Sequence, residues 1–129
     1  MKASSVCFRA AVVLVIVGMG WGLQMAISQD HSTYPAHAHL NLLGWVSLFL
    51  FGLYYRLHPA LERGRLAQAQ IWAWIAGTIV MAIGVGLIHT GRPAGEPFAG
   101  IGAILAFASM LAFAWTVFRA DRAAVAGQG

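Results

Sequence analysis

The sequence predicts an all-α fold, an integral membrane four-helix bundle with both ends in the cytoplasm (N-in/C-in). Three observations carry this. Sixty per cent of the 129 residues are hydrophobic and only 9% charged, against about 25% charged in soluble domains. The eight Lys or Arg and four Asp or Glu residues gather in short clusters. Between the clusters lie four apolar runs long enough to cross about 30 Å of hydrocarbon as helices.

The spans are expected at about 6–27, 35–55, 67–89 and 98–118, as a single domain. Their connections are short, so consecutive helices are antiparallel neighbours, and no room remains for a separate soluble domain. The first run also has features of a secretory signal peptide, with Lys2 and Arg9 as a basic region and Ala26-Ile27-Ser28 as a cleavage site, although its apolar core is long for one. Pro35 suits the first turn of the second helix. The run His89-Thr90-Gly91-Arg92-Pro93 ends the third with a glycine stop followed by proline. Gly18 and Gly22 form a G-x-x-x-G in the first span, a pattern that permits close helix contact. Gly77, Gly84 and Gly86 thin the third helix, and Gly100 and Gly102 the fourth. They serve either helix packing or a flat cofactor laid against the backbone.

Charge sets the expected orientation. With the N-terminus inside, Lys2, Arg9, Arg56, Arg63, Arg65, Arg119 and Arg122 fall inside and Arg92 alone outside, a strong positive-inside bias. The net charge of +4 therefore reads as a topology signal and not as a nucleic-acid surface. Cys7, the one cysteine, cannot form an internal disulfide and is expected as a small buried apolar residue. Glu62, Arg63 and Arg65 are expected in a solvated loop. Ser47, Thr78, Ser109 and Thr116 are expected to bond back to their own helices, and the tryptophans to sit partly in interfacial belts.

The histidines carry the functional signal. His31, His37, His39 and His89 fall near the outer face, and His58 alone near the inner one. Ligating side chains inside a span are costly and commonly functional. His37 and His39 are two residues apart, so on a helix they project about 200° apart. They are poorly placed to grip one ion and well placed to serve two sites on opposite flanks. Asn41, one turn past His37, is expected to bond to it or to a neighbouring helix. His89 ends the third span at a similar depth. Two histidines on two helices with glycines nearby are what axial ligation of a haem requires, and Arg92 would meet its propionates.

The run Ala36-His37-Ala38-His39-Leu40-Asn41-Leu42-Leu43-Gly44-Trp45-Val46, with Phe51-Gly52-Leu53-Tyr54-Tyr55 and Pro59 after it, resembles one helix of the catalytic subunit of haem–copper oxidases, most closely the C-family cytochrome oxidases and nitric oxide reductases. The resemblance covers about a fifth of the chain. It implies that His37 holds a haem iron with an open position and His39 a six-coordinate haem, both near the outer face of a bacterial inner membrane. It also implies that Trp45, inside the motif, packs on a porphyrin edge. That family's subunit has three arcs of four helices. A four-helix chain would supply one arc, so a homotrimer would imitate it; a homodimer is the alternative. The family's copper site uses three histidines, two of them adjacent. No His-His pair exists here, so three ligands would need His31 or His89, or a neighbouring subunit.

Three functions follow. The first is a b-type haem protein for electron transfer or binding of O2 or NO, with His37, His39 and His89 as ligands; any enzyme activity would be that of a haem-dependent oxidoreductase with a redox partner. The second is a copper or zinc protein of metal handling or oxidase assembly, with His31, His37 and His89 around one ion. The third is an accessory subunit of a respiratory complex. No nucleophile–base pair, phosphate loop or C-x-x-C appears, so catalysis would have to come from a bound cofactor.

Overall fold

The computed structural model describes residues 1–126. It is all-helical, with four helices, each long and apolar enough to cross a membrane: α1 (Ala3–Ser28), α2 (Tyr34–Leu57), α3 (Arg65–His89) and α4 (Gly95–Ala126). This is the architecture of a multi-pass membrane protein. Each helix begins one to three residues before the apolar run that announced it. The fourth also runs eight residues beyond 118, because hydropathy marks where hydrocarbon ends, whereas Arg119 to Ala126 continue as good helix formers. Thr33 directly precedes α2, which has Pro35 in its first turn, and Gly91 ends α3 in the left-handed region at φ 77°. Between α1 and α2, the Asp30 carboxylate accepts the Ser32 N–H at 3.0 Å. That bond holds its pKa below the ordinary value.

Lipid supplies no hydrophobic drive between helices, so contact depends on how closely backbones approach. Small residues provide that approach twice. In the α3–α4 pair, a methyl group on Gly77 would lie 2.9 Å from Ala106 N and from Gly102 O, and one on Gly84 2.8 Å from the Ala99 Cα and from Gly95 O. In the antiparallel α1–α2 pair, Gly44 lies against Leu14, and Gly52 against Cys7 and Phe8. Cys7 is fully buried there. The glycines of α3 thus serve packing. A methyl group on Gly100, by contrast, would meet nothing within 4 Å. The α4 face bearing Phe98, Ile101, Ile104, Phe107, Leu111 and Phe118 is exposed.

We call the end carrying Lys2, Arg56 and Arg119 the basic end, and the end carrying His31, His39 and His89 the histidine end. The basic end departs from the sequence expectation. Glu62 is only 3% exposed, so this loop is not simply solvated. Ser4 Oγ donates to Glu62 Oε1, Arg56 Nε donates to Ser4 Oγ at 3.2 Å, Lys2 Nζ lies 3.6 Å from Glu62 Oε2, and Ala3 N donates to Glu62 O at 3.1 Å. The loop is thereby clamped to the start of α1. Ser109 departs too. Instead of bonding within α4, its hydroxyl donates to Gln70 O at 2.7 Å and accepts from Gln70 Nε2 at 3.2 Å, while Tyr55 OH donates to Gln70 Oε1 at 3.2 Å. This buried chain joins α2, α3 and α4. Phe113 of α4 adds aromatic contacts there, 4.5 Å from Phe51 and 5.0 Å from Tyr54 between ring centroids. Ser47 and Thr116 do bond back, to Leu42 O at 3.0 Å and Ala112 O at 2.9 Å, whereas Thr78 Oγ1 is buried without a hydrogen bond.

Two outcomes are expected. Gly84→Ala should destabilise the bundle by about 1–3 kcal/mol through overpacking, while Gly100→Ala stays within about 0.5 kcal/mol; unfolding by a denaturing detergent in micelles measures both. The Ser4 hydrogen bond holds the Glu62 carboxyl below its ordinary pKa, aided by the Lys2 and Arg56 charges and opposed by burial. A depressed carboxylate pKa contributes stability that is complete above the unfolded value and lost as pH falls through the folded one. The thermal midpoint should therefore drop as pH falls below the ordinary glutamate range, and Glu62→Gln should flatten that dependence.

Candidate functional site

The residues of the histidine motif occupy the first two turns of α2, and the helix changes character directly after them. From Leu42 to Ser47 it widens into a π-helical turn before resuming as an α-helix at Leu48. Such turns are rare and recur at functional sites. Widening displaces backbone carbonyls from their usual partners, and in hydrocarbon these need others. Trp74 of α3, only 4% exposed, donates its indole N–H to Leu43 O at 3.0 Å, and Ser47 donates to Leu42 O. Trp74 is therefore a buried partner of this turn and not a member of an interfacial belt. Trp21 of α1 is also part-buried, donating to Thr33 Oγ1 at 2.9 Å. Trp72 and Trp115 are exposed, as belt residues are.

His37 and His39 do take different flanks of α2. His37 is half-buried and turned to α1: a methyl on Gly22 would lie 2.9 Å from its Cε1. Asn41 Nδ2 lies 3.1 Å from His37 Nε2 and 3.3 Å from Nδ1, donating to the ring as the sequence suggested. The Asn41 carboxamide oxygen is seated on Gly18 and is buried without a hydrogen bond. The G-x-x-x-G of α1 is thus a pair of sockets for two polar side chains of α2. His39 is exposed, and its Nδ1 lies 2.7 Å from Pro35 O. Only an Nδ1–H can donate to a carbonyl, so the Nε2 lone pair is left free and faces away from the backbone. His89 is built alike: exposed, with Nδ1 2.9 Å from Val85 O.

The remaining candidates are placed less tightly. His31 is exposed in the α1–α2 connection, with Nδ1 3.2 Å from Gln29 O. Arg92 is exposed just beyond α3. Trp45, in the π turn, packs on Phe49 at 5.1 Å between ring centroids. His58 stacks on Tyr54 at the basic end and bonds to Tyr54 O at 2.8 Å. Among the described residues no three His, Cys, Asp or Glu side chains are grouped to hold an ion. His31, His37 and His89 therefore do not assemble a three-ligand set within one chain.

A flat cofactor needs a notch. Those in the interior at this end are filled: Gly18 by Asn41, Gly22 by His37, Gly84 and Gly95 by each other, and Gly86 by Trp21 and Ala36 at 3.6–3.8 Å. The free Nε2 atoms of His39 and His89 lie instead on the outside of the bundle, where any flat group they held would have to sit. Comparison of this chain with protein-family models, with curated proteins and with solved structures found no match.

Sequence reasoning anticipated the His37–Asn41 bond but not the π turn or the indole that completes it. Trp74 in a span looked like any other tryptophan, and only its depth distinguishes it. Trp74→Phe, which removes the indole donor from the Leu43 carbonyl, should cost about 0.6–1.7 kcal/mol, read as a lowered unfolding midpoint in micelles. Trp72→Phe, on an exposed position, should leave the midpoint nearly unchanged.

Proposed function

We propose that this chain is a b-type haem protein of the membrane, for electron transfer or binding of a diatomic gas, with the haem held on the outer flank of α2 by His39. The observation that supports it most is the Nδ1–H bond from His39 to Pro35 O. Histidines that ligate metals commonly donate their other ring N–H to a backbone carbonyl, which fixes tautomer and ring orientation and makes Nε2 more basic. His89 has the same bond and is the second candidate ligand, and Arg92 beyond it suits a propionate. The likeness of α2 to the oxidase helix supports haem over other metals.

Because the free nitrogens face outward, the haem sits against the outside of the bundle. A second copy of the chain would then cover its other face, which makes the assembly a homo-oligomer. His37 has a different part. Asn41 Nδ2 lies against both of its ring nitrogens, so His37 holds α2 in register on α1 and would ligate only after leaving that contact. The bound group would supply reversible one-electron exchange or an open iron position; the protein's own residues set its place, orientation and cover.

The test is an optical spectrum of the purified protein after reconstitution with haem, oxidised and reduced. A Soret band that shifts on reduction is expected. His39→Ala should abolish it, whereas His37→Ala should keep the band and lower the thermal midpoint. Wild-type protein that stays colourless with excess haem would overturn the proposal.

A further inference from the structure

At the basic end, two adjoining grooves share Trp115 and Arg119. One, of about 310 Å³, is lined by Leu61, Gly64, Leu66, Ala67, Thr116 and Arg119 among others. The second, of about 270 Å³, is lined by Trp115, Phe118, Arg119 and Arg122. Together they run from the loop before α3 across to the outer face of α4. Trp115, Phe118, Arg119 and Arg122 follow helical spacing and so share one face of α4. Trp115 is 60% and Phe118 65% exposed. An aromatic residue followed one turn later by arginine, at the end of an apolar span, is the arrangement found at headgroup level.

Charge at this end is unbalanced. Lys2, Arg9, Arg56, Arg63, Arg65, Arg119 and Arg122 stand against two carboxylates, Glu62 and Asp121, and Glu62 is already held by Ser4 and Lys2 and lies near Arg56. Among the described residues Lys2 and Glu62 form an ion pair. Two guanidiniums with apolar walls below them complement a group that is anionic at one end and acyl at the other. Arginine also matches phosphate oxygens in a bidentate way that a lysine cannot.

We infer that the groove shared by Trp115, Arg119 and Arg122 is a binding site for an anionic phospholipid of the leaflet at the basic end. The phosphate lies between Arg119 and Arg122, and the acyl chains descend over Phe118 and Leu66 beside Trp115. The site is independent of the haem proposal: it lies at the opposite end of the bundle and uses none of the histidines.

Native mass spectrometry of the full chain, released from uncharged detergent, tests it with phosphatidylglycerol, phosphatidylcholine of equal chain length and inorganic phosphate as probes. One phosphatidylglycerol per chain should be retained preferentially over phosphatidylcholine. Each basic residue near a membrane contributes about fivefold, so R119Q/R122Q should weaken retention by about 25-fold. R63Q, on a separate groove with Lys2 and Gln68, should retain the lipid as the wild type does. An unchanged circular dichroism spectrum of R119Q/R122Q confirms its fold. Equal retention of the two lipids, equal weakening by R63Q, or displacement of the lipid by millimolar phosphate would overturn the proposal.

Discussion

In hydrocarbon no water completes a hydrogen bond, so each polar group inside this bundle must be answered by another part of the chain or be seated where its exposure is small. The π turn of α2 is possible because an indole reaches across from α3. The Gln70 side chain can be fully buried because Tyr55 and Ser109 engage both ends of its amide. His37 and Asn41 fit beside α1 because two glycines leave them space. The tertiary structure is therefore tied at a few polar points between helices whose remaining surfaces are interchangeable with lipid. Such bonds are individually modest in membranes, about 0.6 kcal/mol on average, and they act by fixing register more than by adding stability.

The helices were legible because span length and charge placement are one-dimensional properties, and the sequence carries them directly. So was the divergence of His37 and His39, which follows from helical pitch alone. What escaped was everything that depends on which neighbour lies opposite. Glu62 beside two arginines looks solvated until Ser4 is seen above it. Ser109 looks self-bonded until Gln70 is placed on the facing helix. The G-x-x-x-G of α1 suggested close backbones, yet its grooves hold side chains, because an asparagine and a histidine one turn apart on α2 match the same four-residue spacing.

The candidate site shows the same division. Chemistry could be read from residue type: two imidazoles, a nearby arginine, a motif. Availability could not. His37 has the Asn41 amide against both ring nitrogens, whereas His39 is left with a free nitrogen by a bond to its own helix. That choice is made by local backbone geometry four residues upstream.

The widened turn at Leu42–Ser47 has one more consequence. Each residue of a helix turns it by about 100°, so one residue more or less at ordinary pitch rotates the histidine-bearing portion of α2 against the portion carrying Gly52 and Tyr55. The two portions are anchored separately, by Asn41 and His37 above and by Gly52 and Tyr55 below. A single-residue deletion inside the turn could be absorbed by relaxing it to ordinary pitch, with both anchors kept. The same deletion elsewhere in α2 would have to unseat one of them.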